Sequence, residues 1–118
     1  MKEAKDQTTL ADVVELAGKG LFTGATTSVR LYPREADYGI ILQRVDLPSK
    51  PFFSATVDNV LGTPRCTILG KKGEEIWTVE HLFSALQALQ IDNLHIEVQG
   101  PEIPIGDGSA FFIMEKLM

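Results

Sequence analysis

Cysteine is nearly absent from this chain. Cys66 is the only one in 118 residues. No internal disulfide can form, and no cysteine-only zinc site can be built; a lone thiol suits a reducing, cytoplasmic compartment. Histidine is scarce too, with only His81 and His95. No apolar run approaches the ~20 residues of a transmembrane helix. The start, Met1-Lys2-Glu3-Ala4-Lys5-Asp6-Gln7, is charged, short and without an apolar centre, so it does not read as a signal peptide. Basic clusters are missing: 11 Lys and Arg stand against 16 Asp and Glu, for a net charge of −5. The one adjacent basic pair, Lys71-Lys72, lies in a Gly-flanked turn. A nucleic-acid surface is therefore not expected. What remains is ordinary for one soluble globular domain with one core: 44% hydrophobic and 23% charged residues.

The order of elements can be read from periodicity. Residues 1–7 are expected to fray. Thr8 to Ala17 fits a helix through Leu10, Val13, Val14 and Ala17, but its β-branched residues favour a strand ended by Gly18-Lys19-Gly20. Gly18-Lys19-Gly20-Leu21-Phe22-Thr23-Gly24 is the most glycine-dense stretch. It matches neither dinucleotide-loop nor P-loop spacing, so it reads first as a turn between strands and only second as a phosphate cradle. Thr26 to Tyr32 alternates, with Thr27, Val29 and Leu31 on one face. Gly39 to Val45 is a second strand. Phe52 to Val57 is a third, continuing loosely to Val60. Arg65 to Leu69 and Glu74 to Trp77 form a hairpin closed by Gly70-Lys71-Lys72-Gly73. A helix follows to about Gln90, and Ile91-Asp92-Asn93 breaks it. Leu94, Ile96 and Val98 alternate with His95, Glu97 and Gln99 as a strand with one wet face. Gly100 to Gly108 is a rigid loop. Phe111 to Met118 reads as a helix that stops without a cap, as expected of the front part of something longer. The fold expected is an α+β two-layer sandwich: one mostly antiparallel sheet, two helices on one face and a small inserted hairpin.

The stretch with chemical content is Trp77-Thr78-Val79-Glu80-His81-Leu82-Phe83. Val79, Leu82, Phe83, Leu86 and Leu89 form one helical stripe. Thr78 is placed to cap the helix. At about 100° per residue, Glu80 and His81 flank the stripe, so the core does not need them. By themselves they read first as a surface pair. Adjacent helix positions suit a metal ligand and a neighbouring base rather than a chelating pair. One histidine cannot hold a catalytic zinc, so further ligands must come from elsewhere. Asp107 sits at a helix start, where the simple role is an N-cap and the other is support of a site. His95, on the polar face of its strand, reads as a solvated residue. Cys66 reads as a small buried side chain.

Four motifs, in order, resemble the UDP-3-O-acyl-N-acetylglucosamine deacetylases, the zinc enzymes of lipid A biosynthesis. They are Gly18 to Gly24; Gly39 to Leu47 with its Arg44-Val45-Asp46-Leu47 ending; Thr78-Val79-Glu80-His81-Leu82 running on to Ile91-Asp92-Asn93; and Gly100-Pro101-Glu102-Ile103-Pro104-Ile105-Gly106-Asp107-Gly108-Ser109-Ala110. The resemblance covers nearly all of residues 8–118. It implies the first of two similar α+β domains, with the active site between them and the second domain missing. It implies that His81 is a Zn2+ ligand and Glu80 the general base that activates water at the metal. The substrate would be the UDP-3-O-acyl-N-acetylglucosamine and the products acetate and a free amine. Asp107 resembles the supporting aspartate of the family's Asp-Gly-Ser loop, and Cys66 a cysteine beside the site on the inserted hairpin. Two features depart from the pattern. Phe22 stands where the family usually has histidine. No His-Lys pair is present, so the ligands that the family carries in a His-Lys-x-x-Asp motif are not in this chain. It is therefore expected to be incomplete and inactive alone. The alternatives are a non-catalytic binding or scaffold domain that keeps the fold, and an enzyme assembled from two polypeptides.

Overall fold

The computed structural model describes residues 7–20, 23–55, 60–62 and 67–104. Four strands come first: β1 (Val14–Lys19), β2 (Thr26–Pro33), β3 (Ile40–Arg44) and β4 (Phe52–Ser54). Three short ones follow, β5 (Val60–Gly62), β6 (Thr67–Leu69) and β7 (Ile76–Trp77), and then α1 (Glu80–Ala88) and β8 (Leu94–Gln99). The main sheet has the order β1-β2-β8-β3-β4, and β5-β6-β7 form a second, smaller sheet. Only β3 and β8 run parallel; the other pairs are antiparallel.

Register builds the core. Val14, Leu31, Ile96, Leu42 and Phe53 are cross-strand neighbours in one row across all five strands. The alternation expected of β2 and β8 is present: Thr27, Val29 and Leu31 are buried, as are Leu94, Ile96 and Val98. Helix α1 packs on this face through Leu82, Ala85 and Leu86, with Val79 just before it. Burying each large aliphatic side chain contributes about 1.5–3 kcal/mol, so the stripe alone explains why α1 docks here. The helix ends in a Schellman motif: Ile91 N–H bonds Leu86 O at 2.9 Å and Gln90 N–H bonds Gln87 O at 3.1 Å. Gln90 takes the left-handed position, φ 56°, usually given to glycine.

The α+β class holds, with several corrections. The first strand begins at Val14, not Thr8, because the residues before it bond to Asp92 and Asn93, just ahead of β8, instead of pairing with β2. Thr8 O accepts from the amides of Asp92 and Asn93 at 2.9 and 3.2 Å, and Leu10 is buried. Gln7, at the end of the stretch expected to fray, bonds Asp37 N–H at 2.8 Å and Asn93 Nδ2 at 3.0 Å. Gly18 and Lys19 belong to β1 rather than to a turn. The strand expected over Phe52–Val60 is two, β4 and β5, in different sheets. The inserted hairpin is part of a three-stranded sheet, and its second arm starts at Ile76 rather than Glu74. Its turn is as expected, with positive φ at Gly70 and Gly73. The second helix, expected from Phe111, lies outside the described residues. No helix among the described residues is long and apolar enough to cross a membrane.

Candidate active site

Glu80 opens α1 and His81 follows it. The helix cap is Val79, with φ −85° and ψ −12°, and no side chain caps it. The expectation that Thr78 caps the helix is therefore wrong. Thr78 is fully buried with φ 62°, and its hydroxyl donates to Glu102 Oε2. A carboxylate is a stronger partner than a helix-end amide, and it draws the side chain away from the cap position. The N-terminal dipole is met instead by Glu80 in the first turn.

Among the described residues, Glu80 is held on one side only. Its Oε1 accepts the Thr67 N–H at 3.0 Å, while Oε2 stands 4.0 Å from His81 Nε2. The His81 and Glu80 side chains are 31% and 33% exposed. Neither serves the core, as their flanking position predicts. The pair opens outward as an oriented carboxylate beside an accessible imidazole. No group of three His, Cys, Asp or Glu that could hold a metal occurs among the described residues. One imidazole with one carboxylate beside it is fewer donors than a whole zinc site needs.

Glu102, in the loop that follows β8, is a functional residue that the sequence motifs do not single out. It is fully buried. Its Oε1 accepts from Thr23 N–H and Thr23 Oγ1, each at 2.8 Å, and its Oε2 accepts from Thr78. The backbone around it clamps the helix entry: Trp77 N–H bonds Pro101 O at 2.7 Å, and Ile103 N–H bonds Trp77 O at 3.0 Å. A sequence signal for it exists. Glu102 is a lone carboxylate in the apolar run Pro101 to Ile105, where a charge must be paired if buried. Past Lys19, the described part of the glycine-dense stretch is bound into the fold. Gly20 N–H bonds Ala25 O, Gly24 N–H bonds Gly20 O, and Thr23 N–H bonds Glu102. These three amides are committed within the protein, which argues against a phosphate cradle at them.

Arg44 ends β3 in a fork on Asp46, with Nε–Oδ1 at 2.8 Å and Nη2–Oδ2 at 2.6 Å. Its Nη1 reaches Glu75 O at 2.8 Å, beside β7. This guanidinium holds the Asp46 carboxyl below the usual carboxylate range. His95 is not a solvated residue. Gln43 Nε2 donates to Lys50 O, which turns Oε1 toward His95 Nε2 at 3.0 Å. Nε2 therefore carries the hydrogen, and Nδ1 accepts from the Tyr38 hydroxyl at 2.7 Å. Burial, with the Arg34 charge nearby, pushes this imidazole below its ordinary pKa against the pull of Glu97.

Asp107, Cys66 and Phe22 lie outside the described residues. Two clefts of about 520 Å³ open elsewhere, one beside α1 between Ile40, Phe83 and Leu86, the other between Phe52 and Lys71. Neither includes Glu80 or His81 in its lining.

These features define an α+β domain that presents a paired carboxylate and imidazole at a helix start clamped from behind. The chain belongs to the UDP-3-O-acyl N-acetylglycosamine deacetylase family, whose model matches residues 7–118. It is 47% identical over 111 residues to the UDP-3-O-acyl-N-acetylglucosamine deacetylases of Brucella melitensis and Brucella abortus. It is 46% identical over the same length to the bifunctional enzyme LpxC/FabZ of Bacteroides thetaiotaomicron. Each match covers 94% of this chain but only 39% of the Brucella proteins and 24% of the Bacteroides protein.

Proposed function

We propose that this chain is the part of a zinc-dependent UDP-3-O-acyl-N-acetylglucosamine deacetylase that supplies the general base and one metal ligand. The observation that carries the reading is Glu80 pinned by one oxygen to the Thr67 amide, with its other oxygen turned toward the His81 ring. His81 Nε2 would hold the zinc together with ligands from a second domain. When bound, zinc supplies a Lewis acid that polarises a carbonyl and lowers the pKa of water toward about 7.

Glu80 does the proton work. Its Oε2 takes a proton from water as the water oxygen adds to the acetamide carbonyl carbon. The C–N bond then breaks, and the proton passes to the departing nitrogen. Acetic acid, which ionises to acetate and releases the second water proton to solvent, and the free amine of the 3-O-acyl glucosamine nucleotide result, and Glu80 is again a carboxylate. The Thr67 N–H fixes the rotamer through this cycle without blocking Oε2. Such a positioned base contributes about 10²–10⁴-fold. The outward-facing pair fits a site closed by another domain.

The competing reading is a scaffold domain that keeps the fold without the chemistry. Zinc competition against a chromophoric chelator separates the two. Under our reading the 118-residue chain binds zinc weakly, His81→Ala abolishes that binding, and the chain alone does not turn over substrate. When a second deacetylase domain is supplied, activity appears, and Glu80→Gln lowers kcat by at least about 10²-fold. Zinc binding indifferent to His81→Ala, or deacetylation by the chain alone, would overturn it.

A further inference from the structure

We infer that Glu102 is a positioning residue: through the Thr78 hydroxyl it holds the helix entry in the strained geometry that sets Glu80 against Thr67. The inference rests on the reading of Glu80 as the base.

Thr78 is the key to the argument. A β-branched residue at φ 62° is a rare conformation, worth about 1–3 kcal/mol of strain, and it persists only when its surroundings impose it. The restraint is visible. Glu102 Oε2 takes the Thr78 hydroxyl, and the chain on either side of Glu102 grips Trp77 through the amides and carbonyls of Pro101, Trp77 and Ile103. The carboxylate is itself fixed from the opposite side by two donors of Thr23. Its orientation is thus set by the turn between β1 and β2, far away in sequence.

The consequence of that strain runs forward along the chain. The peptide after Thr78 presents the Val79 N–H to Thr67 O at 3.2 Å, and the next residue returns Glu80 Oε1 to the Thr67 N–H at 3.0 Å. Both groups of Thr67 therefore depend on the direction in which Thr78 sends the helix. If the hydroxyl bond is lost, the side-chain restraint on Thr78 goes and the backbone bonds of Trp77 and Val79 are left to hold its positive φ against relaxation. Relaxation rotates the 78–79 peptide and draws the Glu80 carboxylate off Thr67. Three motifs of the sequence, around Gly20, Thr78 and Glu102, meet on this one buried carboxylate, and its output is the orientation of the base.

The Thr67 amide is the reporter. Hydrogen exchange followed by NMR is measured on the full chain in Thr78→Val, which keeps the shape and the β-branching but removes the hydroxyl. A charge-assisted hydrogen bond governs the opening, so Thr67 exchange should quicken at least about tenfold. The amides of Val29 and Ile96, in the centre of the main sheet, should stay within about twofold of wild type. Thr78→Ser restores the hydroxyl and should return Thr67 to within about twofold of wild type. Should Thr78→Val fail to fold, Thr23→Ala at an exposed position removes one of the two opposing donors and should quicken Thr67 exchange about threefold. An unchanged Thr67 in a folded variant overturns the inference. So does acceleration that the sheet amides share equally, or that Thr78→Ser fails to reverse. The exchange reads the latch whether or not zinc binds, so its failure is distinct from failure of the zinc competition.

Discussion

Gly20→Ala separates two reasons for glycine in one turn. At Gly24, φ is 70° and an added Cβ would meet nothing within 4 Å, so conformation alone demands glycine. Gly20 is the reverse case. It is not among the positive-φ glycines, but a Cβ there would stand 2.1 Å from Glu102 Oε1, 2.7 Å from its Cδ and 2.7 Å from Thr23 Oγ1. A shift of more than about 1 Å is needed to restore van der Waals contact. Glu102 cannot move cheaply, since it is fully buried and both oxygens accept hydrogen bonds. Overpacking costs about 1–3 kcal/mol, and breaking one charge-assisted bond costs about 1.5–3 kcal/mol more. We expect a loss of about 3–5 kcal/mol, a large share of the ~5–15 kcal/mol that holds a domain folded. Urea denaturation of wild type, Gly20→Ala, Glu102→Ala and the double variant measures it. The midpoint should fall with the slope unchanged. In the Glu102→Ala background the clash with the carboxylate is gone and the Thr23 hydroxyl, no longer bonded to it, is free to turn away from the added Cβ, so Gly20→Ala should cost less than about 1 kcal/mol, a coupling of at least about 2 kcal/mol. A single-variant cost below about 0.5 kcal/mol, or additive costs, would refute the close-approach account.

His95 and Asp46 give two predictions on pH. The folded pKa of His95 is depressed, so the unfolded chain takes the proton first. Stability is therefore full above the unfolded value near about 6.5 and declines as pH falls through it. NMR titration should place the His95 midpoint below that value, and His95→Gln should flatten the fall of the urea midpoint between pH ~7 and ~5; a midpoint at or above about 6.5 would contradict the burial account. Asp46 is depressed by Arg44, so its contribution is present above the unfolded value near about 3.9 and is lost as pH falls below it. Asp46→Asn strands a guanidinium whose side chain is 8% exposed, at a cost of about 1–3 kcal/mol at pH ~7, and the acid loss below pH ~4 should become shallower. Equal urea midpoints for Asp46→Asn and wild type at pH ~7 would sink this account.

Period-two and period-3.6 patterns made β2, β8 and α1 legible, because each element buries one face and the period reports that face. β1 was misplaced by several residues because the segment before it is also apolar: Leu10 is buried without being in a strand. No local signal distinguishes a strand from a segment tied to Asp92 and Asn93, distant in sequence, just ahead of β8. Glu80 and His81 were legible as residues outside the core stripe, but the Thr67 amide that orients Glu80 was not, since that contact depends on how β6 folds back. His95 misled for a related reason. Alternation placed it on the outer face, and only the long-range approach of Tyr38 and Gln43 covers it there. Asp107, Cys66 and Phe22 are not weighed by the described residues.

The arrangement explains why the motifs are spread along the chain yet serve one place. Glu102 joins the turn at Thr23 to the helix entry at Thr78. Arg44, with Asp46, reaches Glu75 O and so fixes the strand that leads into that entry. All four motifs thus bear on residues 75–80. A buried carboxylate and a nearly buried guanidinium are poor investments for stability alone, since well-packed apolar residues serve a core as well or better. They do what apolar packing cannot, because charge-assisted bonds have direction. A first-turn carboxylate on a half-exposed helix end would otherwise sample several rotamers, and the role of base proposed for Glu80 requires one of them. Replacing the Glu102–Thr78 pair with apolar residues of equal volume should therefore preserve folding while loosening Glu80. That separation of stability from orientation is what a positioning network predicts and a purely structural one does not.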